Sequence, residues 1–163
     1  MHNLTSQRFE TFWHQICPPN SHHKLAIIGS EKPLNFGFVR TKHLCHFISN
    51  EKDSLRDAKR LGFMISTNLD SNFDIIILEL TKSRETNLRL LYLAEEHLNV
   101  GGKMIINGDN QIGVKSFLKT VSAHWPAEII LTKKKGKIAI FPETKKSFGY
   151  WRKYQDFTVN KDG

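Results

Sequence analysis

FDIIILELTKSRETNLRLLYLAEEHLNVGGKMIINGDNQIGVKSFLK, residues Phe73 to Lys119, reads as strand, helix, strand, helix, and that order decides the fold. Asp74 to Leu80 is a run of β-branched and apolar residues too continuous to alternate, so both faces of a strand here are expected to be buried. Ser83 can cap a helix whose apolar positions Leu91, Ala94 and Leu98 follow helical spacing, with Leu88 and Leu90 widening the stripe. Gly101-Gly102 is expected to stop that helix, because glycine takes the left-handed turn without a side-chain clash. Lys103 to Asn107 then reads as a second short buried strand, and Val114, Phe117, Leu118 and Val121 as the core stripe of the next helix. Two strands joined by a crossover helix are parallel, with a right-handed crossover. The unit is βαβ.

Outward from it, Asn3 to Ile16 carries Phe9, Phe12, Trp13 and Ile16 at helical spacing and predicts an amphipathic helix stopped by Pro18-Pro19. Lys24 to Gly29 predicts a buried first strand, His43 to Ser49 a second and Phe63 to Thr67 a third. A short helix is expected over Ser54 to Leu61, ended by Gly62, and Leu34 to Val39 is ambiguous. On the far side, Glu128 to Thr132 and Lys137 to Phe141 flank Lys133-Lys134-Lys135-Gly136, the spacing of a β-hairpin with glycine at the turn. The expected fold class is α/β, a mostly parallel sheet with an antiparallel C-terminal hairpin. From Phe148 the chain turns aromatic and basic without a clear period, so residues 1–147 are expected to form the domain and 148–163 a linker.

A chain of 163 residues is most economically one domain. Its hydrophobic content of 39% and charged content of 25% fit a globular chain and exclude a disordered one. No apolar run approaches the ~20 residues of a membrane helix, and the polar N-terminus has no signal-peptide core, so the expectation is a cytoplasmic protein without a membrane partner. There Cys17 and Cys45 are expected to be reduced and structural. The net charge is +8, and its placement matters more than its size. Lys133, Lys134, Lys135, Lys137, Lys145, Lys146, Arg152 and Lys153 face the single acid Glu143 between positions 133 and 153, a local +7. Such a segment suits a phosphate backbone, or is simply a solvated surface.

In an open α/β sheet, ligands sit outside the carboxyl ends of the strands, where strand order reverses. After the first strand comes Gly29-Ser30-Glu31-Lys32-Pro33, with one glycine where a nucleotide loop needs two or three, and a proline that removes an amide donor. After the second strand Glu51 stands where an acid would take ribose hydroxyls, yet it is better read as a favourable charge at a helix N-terminus. After the fourth comes Glu79-Leu80-Thr81-Lys82, with Glu79 a lone carboxylate. Gly29, Ser30 and Glu79 are the candidate cofactor-binding residues, and no residue is assigned as catalytic. The eight histidines include no HExxH and no metal-ligand spacing, and no GxSxG elbow is present.

The same stretch resembles the N-terminal half of the ribosomal RNA guanine-N2 methyltransferases of the RsmC type. The resemblance rests on Asp74 to Leu80, the Gly101-Gly102 break, Gly108 with Asn110, then Gly113 and Ser116. The Gly136 hairpin and FGYWRKYQDFTV, with Trp151 and Tyr154, extend it across residues 25 to 158. It implies a class I methyltransferase-like (Rossmann-like) three-layer sandwich, one copy of a tandem duplication. In that family the C-terminal copy holds the glycine-rich S-adenosylmethionine loop and an N-P-P-[FYW] motif, whose aromatic stacks on the flipped base. This chain departs from the catalytic pattern at Gly29 and at Glu79-Leu80-Thr81-Lys82. The resemblance therefore implies a degenerate domain without cofactor of its own. Its partners would be a catalytic methyltransferase domain of the same parent chain and ribosomal RNA or the small ribosomal subunit. Lys133, Lys134, Lys135, Lys145, Lys146, Arg152 and Lys153 are the candidate RNA-binding residues. Tyr150, Trp151 and Tyr154 would stack on bases or pack as an interface anchor. Two other readings stay open: a self-sufficient small methyltransferase with a divergent loop, and an RNA-binding module unrelated to any enzyme.

Overall fold

The computed structural model describes residues 4–10, 12–18 and 21–143. Its centre is β4, Phe73–Glu79, whose Ile75, Ile76, Ile77 and Leu78 are all buried. β4 lies between β1, Leu25–Ile28, and β5, Leu98–Asp109, parallel to both. The crossover from β4 to β5 is α4, Arg84–Glu96, whose Ser83 N-cap side chain accepts from the Thr86 amide. Beyond β1 lie β2, Cys45–Ile48, and β3, Met64–Ser66, both parallel, with α3, Lys52–Arg60, between them. β6, Ile129–Lys133, and β7, Gly136–Pro142, form the hairpin, and β7 pairs antiparallel to β5. The order is β3-β2-β1-β4-β5-β7-β6, so strand order reverses between β1 and β4.

Two apolar layers sandwich the sheet. One packs Ile76, Leu78 and Ile106 under α4 and α5, Val114–Ser122, through Leu91, Tyr92, Phe117, Val121 and Trp125. The other packs Leu25, Ile27, Ile77 and Ile105 against Phe9, Trp13, Phe36 and Phe47. β4 contributes to both layers, which is why its sequence does not alternate.

The structure corrects several expectations. The N-terminal helix is two pieces, α1, Leu4–Phe9, and α2, Trp13–Ile16. The break lets Phe9 stack on Phe12 and Phe38 while Trp13 meets Phe9 and Phe38 edge-on, so aromatic packing overrides helical continuity. α4 ends at Glu96, not at Gly101-Gly102, because the His97 carbonyl accepts from the Phe73 amide and draws the chain into the sheet. Leu98 is therefore the first residue of β5, and residues between Asn99 and Gly102 are absorbed as a register irregularity opposite Phe73 and Ile75. At the hairpin the left-handed positions are Lys134 (φ 50°) and Lys135 (φ 59°), while Gly136 opens β7 opposite Lys133. The expected turn glycine has another role, described below.

The ambiguous stretch after β1 contains a 3-10 turn, Pro33–Phe36, and a second, Lys42–Leu44, leads into β2. The division at 147 and 148, and Lys145, Lys146, Arg152, Lys153, Tyr150, Trp151 and Tyr154, lie outside the described residues. Among the described residues no helix is long and apolar enough to cross a membrane, and no group of three or more His, Cys, Asp or Glu is placed to hold a metal ion. Cys17 and Cys45 are buried free thiols, and burial pushes the Cys45 thiol up.

Candidate functional site

The carboxyl ends of β1, β4 and β5 form the rim where ligands of this architecture sit. The structure brings the three cofactor candidates, Gly29, Ser30 and Glu79, together there. All three line a cleft of about 570 Å³ with Thr5, Thr81, Lys82 and Asp109. A second cleft of about 420 Å³ shares Gly29, Ser30 and Thr81 and extends toward Ser49, Asn50 and Leu69.

Gly29 is fixed by packing. Its φ is 84°, and a Cβ there would lie 2.2 Å from the carbonyl oxygen of Glu79, so only glycine lets β1 leave the sheet beside β4. The chain then enters the Pro33–Phe36 turn, so no α-helix N-terminus faces the cleft from this loop. Ser30 is buried and its hydroxyl accepts from the Lys32 amide, while the Ser54 hydroxyl donates to the Glu31 carbonyl. The loop is tied to itself and to α3. Glu51 is the N-cap of α3, its carboxylate accepting from the Asp53 amide, as the sequence suggested.

Above β4, on the wall of the larger cleft, the polar groups of the rim bond one another. The Glu79 carboxylate accepts from the Thr5 hydroxyl at 2.9 Å and from Asn107 Nδ2 at 2.7 Å. Asn107, wholly buried in β5 and in register with Glu79, accepts at Oδ1 from Arg8 Nε at 2.8 Å. Arg8 is 1% exposed. Its Nη2 pairs with Asp109, and its Nη1 donates to the Lys134 carbonyl at 2.9 Å. Burial pushes the Glu79 carboxyl above its ordinary value, opposed by the hydrogen bonds from Asn107 and Thr5 and by the charge of Arg8. Glu79 was read as a lone carboxylate; its partners come from 74 and 28 residues away in the chain.

The segment after β4 is also occupied. Asn87 on α4 accepts from the Thr81 amide and hydroxyl and donates back to the Thr81 carbonyl. The asparagine amide thus satisfies the main chain of the segment that follows β4. Lys82 is exposed beside it, and among the described residues no aromatic ring lines this cleft.

Sequence reasoning missed Thr5, Arg8, Asn107 and Asp109. A signal existed: Thr5, Arg8, Phe9 and Phe12 share one helical face, and a charge on an apolar face marks a buried partner. The basic hairpin tip stands on the same rim. Asp109 pairs with Gly136 in register, and the Asn110 amide donates to the Lys135 carbonyl at 2.8 Å. Lys134 and Lys135 are exposed and Lys133 half-buried.

The family described as Methyltransferase small domain N-terminal matches residues 38–130. No curated protein matches the chain by sequence. Among solved structures it is similar to the 16S rRNA guanine-N2 methyltransferase RsmC of T. thermophilus, in complex with AdoMet and guanosine. The TM-score is 0.63 at 15% identity, over 76% of this chain and 36% of that one. It is also similar to the N-methyltransferase NodS of Bradyrhizobium japonicum with S-adenosyl-L-homocysteine, at TM-score 0.62 and 11% identity, over 88% of this chain and 89% of that one. A methyltransferase from Pyrococcus furiosus gives TM-score 0.63 at 14% identity, over 85% and 82%. At such identities the likeness shows the fold, and the chain spans about a third of the RsmC chain's length. With residues 38–130 matched and the mixed seven-stranded sheet shared with solved methyltransferases, the chain belongs to the Methyltransferase small domain N-terminal family and has a class I methyltransferase-like fold similar to that of RsmC.

Proposed function

We propose that this chain is the non-catalytic N-terminal domain of an S-adenosylmethionine-dependent ribosomal RNA guanine-N2 methyltransferase. In this reading it supports a catalytic domain of the same parent chain, which would hold the S-adenosylmethionine, and it helps bind RNA through its basic rim. One observation carries the reading: on the rim above β4, where a methyltransferase receives its target, the domain's own Thr5, Arg8, Asn107 and Glu79 bond one another. The donors of Thr5, Arg8 and Asn107 there are already engaged with Glu79, Asn107, Asp109 and the Lys134 carbonyl, and are not arrayed toward a cofactor. Single Gly29, pinned against the Glu79 carbonyl, adds to this on the β1 side.

A second reading, a small methyltransferase in its own right with a divergent loop, is favoured by one feature: the two adjoining clefts bordering Gly29 and Ser30. Titrating S-adenosylmethionine into the chain by calorimetry separates the two. The first reading expects no saturable heat at micromolar ligand. A low-micromolar dissociation constant abolished by Ser30→Trp would overturn it in favour of the second.

A further inference from the structure

We infer that the N-terminal segment is the positioning element of the basic hairpin, acting through Arg8. The inference rests on the RNA-contacting role proposed above and names what gives that surface its shape. Lys134 and Lys135 both adopt left-handed backbone, at φ 50° and 59°, in a two-residue turn where asparagine and glycine are the usual occupants. Left-handed backbone is strained for a lysine, and such strain persists only where surroundings impose it. Two anchors impose it here. Arg8 Nη1 donates to the Lys134 carbonyl, and the Asn110 amide donates to the Lys135 carbonyl.

Gly136 supports the same assignment from the other side. A Cβ at Gly136 would lie 2.3 Å from Arg8 Nη1 and 2.5 Å from the Gly108 carbonyl oxygen. The glycine beside the turn is thus required by the Gly108 carbonyl and the Arg8 guanidinium together, and the turn itself is left free to carry two lysines. Arg8 does one thing more. It takes the Asp109 carboxylate, the acid nearest in register to the tip, which would otherwise compete with phosphate for the lysines. A residue 126 positions earlier in the chain thereby sets both the geometry and the charge of the hairpin.

The test uses the full chain, fluorescent oligouridylate as probe, and binding measured across salt concentrations. Lys134→Ala/Lys135→Ala reports whether the tip contacts phosphate: the log-log salt slope is expected to fall by about 1.4, two contacts at about 0.7 each on a single strand. Arg8→Lys keeps the charge but loses the planar fork, and is expected to lower the slope by about 0.7 or more with the lysines intact. The same variant is expected to speed hydrogen exchange at the Asn110 amide while the Ile77 amide in β4 is unchanged, a selectivity that general destabilisation does not produce. Wild-type slope and wild-type Asn110 exchange in Arg8→Lys would overturn the inference. Should Arg8→Lys fail to fold, Asn110→Pro removes the other anchor at the first residue of a 3-10 turn, where proline is tolerated, and is expected to lower the slope likewise. An unchanged slope in Asn110→Pro would overturn the inference in that case. If only the double alanine variant leaves RNA binding unchanged, the RNA reading falls, and Asn110 exchange in Arg8→Lys still decides whether Arg8 holds the turn.

Discussion

Two halves of one rim differ in what occupies them. Above β1 the chain leaves the sheet as a short loop and two clefts stay open around Gly29 and Ser30. Above β4 and β5 five polar side chains from three segments close on each other, with Arg8 and Asn107 at their centre. The open half keeps the space of a cofactor site without its chemistry: one glycine, a 3-10 turn where an α-helix would follow β1, and a serine engaged with its own loop. The filled half has the chemistry of a site, a carboxylate with a raised pKa beside amide and guanidinium groups, but those groups, at the wall of the larger cleft, are engaged with one another. A perturbed carboxylate in a cleft ordinarily marks a catalytic candidate. Here its partners are all internal, and the perturbation follows from burial within a structural network.

The contrast can be broken most forcefully at Arg8. Arg8→Ala removes the donor to Asn107, Asp109 and the Lys134 carbonyl together, and is expected to cost about 3–5 kcal/mol in urea unfolding, as for other buried pairs that lose one member. A cost below about 1 kcal/mol would mean that water replaces the guanidinium, and the filled half would have to be redrawn as an accessible pocket.

Next comes the open half, where only Gly29 is under comparable constraint. Gly29→Ala meets both a left-handed φ and the Glu79 carbonyl, and is expected to cost about 2–3 kcal/mol. Gly101→Ala is the control: its φ of 79° is similar, but nothing lies within 4 Å of the added Cβ, so about 1 kcal/mol is expected. Equal costs at the two sites would show that backbone conformation alone, and not contact with β4, selects glycine after β1.

The smallest effect is in pH. Because the Glu79 carboxyl titrates above its ordinary 4.5 in the folded chain, the folded state holds the proton more tightly than the unfolded one. Its contribution is present at acid pH and is lost as pH rises from 4.5 through the raised folded value. Glu79→Gln, neutral at every pH, should flatten that part of the stability profile. A slope unchanged by Glu79→Gln would place the titration elsewhere.

Much of this was legible in the chain. Continuous apolar runs at Asp74 to Leu80 and Lys103 to Asn107 specify strands buried on both faces, and the capped amphipathic segment between them makes the pair parallel, since a crossover helix returns the chain to the same end of the sheet. The hairpin, the first three strands and the cap at Glu51 follow from equally local patterns. The poverty of the loop after β1 was also visible as one glycine followed by a lysine and a proline.

Tertiary structure decided the rest, for a reason common to each case. Local propensity would continue the first helix past Phe9 and end α4 at the glycine pair, but aromatic packing with Phe38 and the hydrogen bond from Phe73 to His97 outweigh it. Pairing Arg8 with Asn107, Asp109 and Lys134 spans about a hundred residues or more, and no periodicity in a sequence records which distant polar groups will share a desolvated space. Gly136 shows the difference most directly. Its presence in a turn-like string is a local fact, whereas its purpose, clearance for the Gly108 carbonyl and for a guanidinium from the other end of the chain, exists only once the chain has folded.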